Sequence, residues 1–156
     1  MNVLFIGGHS NAGKTSLFCS IKPMLNIIKE QPNGEDGKDY LALAKDKNRN
    51  YFILNSSSDQ KQQIDNLINF IDECKKEGSL INNLVLAIRS DKDPMRNYLL
   101  NELKNNQLLA NKKDIIEFPI ARIHSNISNG TYDWYKKIAK NLIFRILNKS
   151  PFLLNI

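Results

Sequence analysis

The segment Gly8-His9-Ser10-Asn11-Ala12-Gly13-Lys14-Thr15 keeps the spacing Gly-x-x-x-x-Gly-Lys-Thr/Ser, and it follows directly on the apolar run Val3-Leu4-Phe5-Ile6. A short, continuous apolar run closed by glycine reads as a buried strand. The residues after Lys14 read as a helix, so strand, glycine-rich turn and helix follow in the order that an anion-cradling loop needs. Gly8 and Gly13 open backbone angles closed to residues with a β-carbon, which lets successive amides curl around a phosphate. The N–H groups and positive dipole end of the following helix point to the same place. On this reading Gly8, His9, Ser10, Asn11, Ala12, Gly13, Lys14, Thr15 and Ser16 line the phosphates of a nucleotide. Lys14 reaches the β- and γ-phosphates, the Thr15 hydroxyl serves Mg²⁺, and Ser16 faces the α-phosphate. His9 lines the loop and is given no role as a base.

At 156 residues the chain is expected to form one domain over residues 1–156, large enough to bury an ordinary core. Cys19 and Cys74 are far apart and fall on apolar faces of predicted helices, so both are expected to be buried small hydrophobes rather than a disulfide or metal pair. With only His9 and His124 besides, no structural or catalytic zinc site is expected. No positively charged leader precedes the first apolar run, and no run approaches a membrane span. The expectation is a soluble, cytoplasmic protein with no membrane partner. The net charge of +6 invites a nucleic-acid reading, but the basic residues are dispersed. The excess at Lys136, Lys137, Lys140, Arg145 and Lys149 suits a solvated helix face. No aromatic–basic interleaving accompanies it, so nucleic acid is not the expected partner; a polyanionic ligand suits the charge equally well.

Along the chain, Leu17, Ile21, Leu25 and Ile28 recur at helical spacing, with Pro23 breaking the helix and a second short piece running to about Glu30. Gln31 to Asp39 is polar and reads as a loop. Tyr40–Ala44 and Tyr51–Leu54 flank a turn-like hexapeptide and predict a β-hairpin. Ser57 and Gln60 have capping-box spacing ahead of a helix carrying Ile64, Leu67, Ile68, Ile71 and Cys74, with Gly78 as its stop. Leu84–Ile88 is a second buried strand, and Pro94 suits the first turn of a helix with Tyr98, Leu99 and Leu103. A last strand lies within Ile115–Ile123, at an edge because of Pro119. A final helix from about Tyr132 has Trp134, Ile138, Leu142, Ile146 and Leu147 as its stripe, and Pro151 ends it. The alternation predicts a three-layer α/β/α fold around a mainly parallel sheet of about five strands with one antiparallel hairpin. Ligands of such sheets bind at the carboxyl ends of the strands. The polar and charged residues expected there are Asn55, Asp59, Arg89, Asp91, Asp93, Arg122 and His124.

The first segment resembles the P-loop NTPase superfamily. In its wider form, Gly8-x-x-Asn11-Ala12-Gly13-Lys14-Thr15-Ser16-Leu17-Phe18, it is similar to the first motif of translation-factor-type GTPases, and the element order up to the second long helix, hairpin included, is similar to a Ras-like G domain. Such a GTPase carries Asp-x-x-Gly after the hairpin and Asn-Lys-x-Asp after a later strand. This chain has Asn55-Ser56-Ser57-Ser58 and Ser90-Asp91-Lys92-Asp93. In length it is also similar to small nucleotide and metabolite kinases, which clamp the transferred phosphoryl with arginines; Arg89 and Arg96 bracket the loop where such a clamp would sit.

The implied cofactor is Mg²⁺ with ATP or GTP, and two function classes stay open. One is an NTP-dependent phosphotransferase or hydrolase acting on a small phosphoryl acceptor, with Lys14, Arg89, Arg96 and Asp59 as catalytic candidates and Thr15, Asp59 and Asp91 as metal candidates. The other is a GTPase-like switch or adaptor that reports nucleotide state to a protein partner, or that binds nucleotide without turnover.

Overall fold

The computed structural model describes residues 1–35, 37–109, 115–121 and 129–156. Strands β1 (Asn2–Gly7), β2 (Asn26–Pro32), β3 (Tyr40–Lys45), β4 (Tyr51–Asn55), β5 (Ile81–Ile88) and β6 (Ile115–Pro119) alternate with helices α1 (Lys14–Ile21), α2 (Lys61–Lys76), α3 (Pro94–Asn105) and α4 (Asn129–Leu147). The strands form one mixed sheet in the order β2-β3-β4-β5-β1-β6. β1 lies parallel between β5 and β6, β4 is parallel to β5, and β3 runs against both of its neighbours.

Alternate strand residues feed two cores, as the two-residue period of a sheet requires. Leu4, Ile6, Ala42, Phe52, Leu54, Val85 and Ala87 pack with Leu17 and Phe18 of α1 and Ala139, Ile143 and Leu147 of α4. Val3, Phe5, Leu41, Ile53, Leu84, Leu86 and Ile88 pack with the apolar faces of α2 and α3. Residues buried on both faces explain why β1 and β5 read as continuous apolar runs. Among the described residues no helix is long and apolar enough to cross a membrane.

Several elements depart from expectation. The sheet has six strands because Asn26–Pro32 is an edge strand, not the continuation of α1. Pro23 opens a single 3₁₀ turn (Lys22–Met24), and strict exposed–intermediate alternation follows along β2. The β-branched pair Ile27-Ile28 suits that strand better than a helix. The capping box of α2 lies three residues later than predicted, with Gln60 at the N-cap and Gln63 reaching back. Ser57 instead donates to Gln63 Oε1 at 3.0 Å. On α4 the buried row is Ala139, Ile143 and Leu147, so Trp134 (63% exposed), Ile138 and Leu142 (each 40% exposed) face outward. The helix is rolled by one residue from the predicted stripe, which brings the small Ala139 into the core. Cys74 is buried, but Cys19 is exposed, against the expectation for it. The hairpin β3–β4, the stop at Gly78 (φ 89°), Pro94 in the first turn of α3 and the edge position of Pro119 follow the sequence.

Candidate phosphate site and its surroundings

The loop leaving β1 is held from both sides by the neighbouring strand exits. Gly8 N–H donates to Ile88 O at 3.3 Å, and Ile120 N–H donates to Gly7 O at 2.7 Å. A β-carbon on Gly8 would stand 3.1 Å from Ile120 O and 3.2 Å from the Ala12 β-carbon. Asn11 (φ 59°) and Gly13 (φ 88°) both take the left-handed conformation. Gly13 is the N-cap of α1 and supplies no side-chain cap, so the first-turn amides keep their capacity for a ligand.

Lys14 folds back over this loop. Its ammonium donates to Gly8 O and His9 O, both at 3.0 Å, and the residue is only 6% exposed. Three N–H groups are available and two are placed by the loop, which fixes where the third can point. Burial lowers the Lys14 pKa; Asp59, Asp93 and Asp39 oppose that shift and Arg89 adds to it. The site therefore holds a partly desolvated cation with carboxylates close by. In front of it opens a cleft of about 340 Å³ lined by Asn11, Ala12, Gly13, Lys14, Thr15, Ser16, Ser56, Ser57 and Asp59. A β-carbon on Gly13 would lie 3.3 Å from the hydroxyl of Tyr132, at the start of α4, so an aromatic ring borders the loop on that side.

The exit of β4, next to this cleft, carries a buried network of neutral groups. Asn55 Oδ1 accepts from Asn33 Nδ2 at 2.9 Å, and Asn55 Nδ2 donates to Ser58 Oγ at 3.0 Å. Ser58 Oγ donates to Ala87 O at 2.8 Å. Gln63 Oε1 accepts from Ser57 Oγ and from the Asp59 and Gln60 amides. Asn33 and Asn55 are fully buried, and partners on every side lock them in place.

Asp39 brings a carboxylate to this edge that sequence reasoning did not single out. Its Oδ1 accepts from Thr15 Oγ1 at 3.0 Å and from Ser56 Oγ at 3.5 Å, and its Oδ2 accepts from Gln63 Nε2 at 3.4 Å. Asp39 immediately precedes β3, and β3 runs antiparallel to β4, so the start of one strand lies beside the end of the other. Tyr132 was likewise missed as a neighbour of the loop, because nothing in a heptad pattern marks which helix start will face a distant turn.

The predicted charged residues separate into two groups. Asp59 lines the cleft and pairs with Arg89, Oδ1 to Nε 2.5 Å, while Asp93 Oδ2 lies 3.8 Å from the same nitrogen. Both close atoms are buried, and the contact is ionic without hydrogen-bond alignment. Asp93 Oδ1 also caps α3 by accepting from Met95 N–H at 2.9 Å. Arg89, Asp93, Arg96 and Asp91 all lie outside the cleft lining, and Arg89 is tied to it through Asp59. Arg96 donates to both carboxylate oxygens of Glu117, at 3.0 and 2.7 Å, and to Arg89 O at 3.0 Å. Its Nε is 3.2 Å from Asp91, whose side chain is 88% exposed. The hydrogen bond to Glu117 raises the Arg96 pKa further. The structure thus brings Lys14, Thr15, Asp59 and Arg89 together and leaves Arg96 and Asp91 in a separate ion-pair cluster. Arg122 and His124 lie outside the described residues.

No set of three His, Cys, Asp or Glu side chains among the described residues is arranged to hold a metal ion. A nucleotide-borne Mg²⁺ needs less, since it keeps several waters and takes one or two protein oxygens plus phosphate. The Thr15 hydroxyl and Asp39 carboxylate are hard oxygen donors in contact beside the loop and fit that requirement. Compared with protein-family models, with curated proteins and with solved structures, the chain matches none.

Proposed function

We propose that this chain is a three-layer α/β/α P-loop protein that binds Mg²⁺ with ATP or GTP in the cleft in front of residues 8–16, and that it turns the nucleotide over as a phosphotransferase or hydrolase. One observation carries the reading: the buried Lys14 ammonium is spanned across the loop onto Gly8 O and His9 O, beside uncapped first-turn amides and an open polar cleft. A desolvated cation and a set of convergent N–H donors together form a phosphate site, because each favours an anion at the same point. In this reading the amides of residues 13–16 orient the phosphates, and Lys14 neutralises charge that develops on the transferred group. Bound Mg²⁺ supplies further neutralisation of the phosphate oxygens. Arg89 is the arginine that stands with Asp59 at the cleft, so it rather than Arg96 serves the phosphoryl group.

A second reading, a nucleotide-dependent switch, has one observation in its favour. The Thr15–Asp39 bond ties the segment before β3 to the loop, so a change at the phosphates reaches a surface connection. Titration calorimetry with ATP and GTP in Mg²⁺ tests the shared claim. Wild type binds one of them, and Lys14→Ala loses at least about 100-fold in affinity, the scale of a charge-assisted hydrogen bond set. Equal binding by both proteins contradicts it.

A further inference from the structure

We propose that Asp39, at the head of the antiparallel strand β3, is the carboxylate that holds Mg²⁺ together with Thr15, in place of any acidic residue at the end of β4. This rests on the nucleotide-binding reading above. Among the carboxylates near Lys14, Asp59 is ion-paired with Arg89 at 2.5 Å, and Asp93 caps α3. Asp91 is solvent-facing beside Arg96. The residue at the end of β4 is Asn55, an amide locked on both sides by Asn33 and Ser58. Asp39 is the carboxylate in contact with the Thr15 hydroxyl, and hydroxyls and an amide hold it: Thr15, Ser56 and Gln63.

The separation is also the right one. With Mg–O distances of about 2.1 Å, oxygens on adjacent corners of an octahedron lie about 3.0 Å apart. Thr15 Oγ1 and Asp39 Oδ1 are 3.0 Å apart, so the pair needs reorientation of one hydroxyl proton rather than movement of the backbone. Gln63 holds the other carboxylate oxygen, Oδ2, as the partners of metal-binding carboxylates do. Gln63 is itself fixed as the capping side chain at the start of α2.

The test compares nucleotide affinity with Mg²⁺ and with EDTA, for wild type and Asp39→Asn, using both ATP and GTP. Wild type should bind more tightly with Mg²⁺. Asp39→Asn should lose that gain by at least about tenfold, while its affinity in EDTA stays the same or rises because a negative charge near the phosphates is gone. If Asp39→Asn keeps the full Mg²⁺ gain, the assignment is overturned and the nucleotide reading stands. If wild type binds neither nucleotide in either buffer, both fall. A measurement on wild type alone covers the case of a variant that does not fold. Fe²⁺ put in place of Mg²⁺ and driven with ascorbate and peroxide should cut the backbone near residues 15 and 39. Cleavage near 59 or 91 with 39 spared overturns the assignment.

Discussion

Buried polar side chains gather at both ends of the sheet, and the two ends use them differently. At the edge where β1, β4 and β5 begin, they close on the chain itself. Asn2 Nδ2 donates to Asn83 Oδ1 and to Pro151 O, and Asn83 Nδ2 donates to Phe152 O. Asp46 accepts from Asn50 N–H at 2.7 Å, from the Asn50 amide and from Asn155 N–H, both at 2.9 Å. These groups pin the C-terminal tail across the strand starts. At the opposite edge Asn33, Asn55, Ser57, Ser58 and Gln63 form an equally satisfied network, but it acts as a support. In front of it Lys14 and Thr15 line a cleft beside an uncapped helix start, and Asp39 accepts from the Thr15 hydroxyl. Satisfied polar groups close on the chain's own tail at one end and stand beside a candidate site at the other.

That comparison breaks first at Lys14. In Lys14→Ala the affinity for Mg²⁺–nucleotide falls at least about 100-fold, yet the ligand-free protein keeps its cooperative thermal transition, since burial already disfavours the ammonium in the folded state. Loss of folding instead would make Lys14 a structural residue like those at the far edge.

The converse applies to Asp46. Asp46→Ala removes the charged acceptor of the Asn50 and Asn155 N–H groups, and stability falls by about 1–3 kcal/mol, read from urea unfolding, with nucleotide affinity unchanged. Burial pushes the Asp46 pKa up, but the N–H groups of Asn155 and Asn50 outweigh it and hold the carboxyl below its ordinary value. A depressed folded pKa adds stability above the unfolded pKa and loses it as pH falls through the folded one. The gap between wild type and variant therefore narrows as pH drops below about 4.

The smallest of the three effects is at Gly13. Gly13→Ala places a β-carbon on a residue at φ 88°, 3.3 Å from the Tyr132 hydroxyl. It costs about 1 kcal/mol of stability and weakens nucleotide binding as well, so it couples the two properties that Lys14 and Asp46 keep apart.

What could be read from the amino acids follows the same division. The strand–turn–helix around residues 8–16, the hairpin, the buried strands and the first-turn proline of α3 rest on short-range rules, and the chain obeys them. The second strand was hidden because Leu17, Ile21, Leu25 and Ile28 mimic a helical period across a proline that in fact separates helix from strand. The outward-facing Trp134 shows a competing constraint, since an equally regular row containing Ala139 packs more closely beside α1. Asp39 was missed for a topological reason. A parallel sheet places candidate site residues after its strands, whereas a strand running the other way delivers its first residue to the same edge.

The most direct test is thermal unfolding of the purified protein with Mg²⁺ and ATP, GTP, ADP or GDP. A ligand present at 100 times its dissociation constant adds about 2.7 kcal/mol to the folded state, which for a domain of this size raises the midpoint by about 5–10 °C. The account predicts a rise of that order with adenine or guanine nucleotide, absent in Lys14→Ala. No shift with any of the four at millimolar concentration would contradict it, and the loop at residues 8–16 would then be a glycine-rich turn that carries no phosphate.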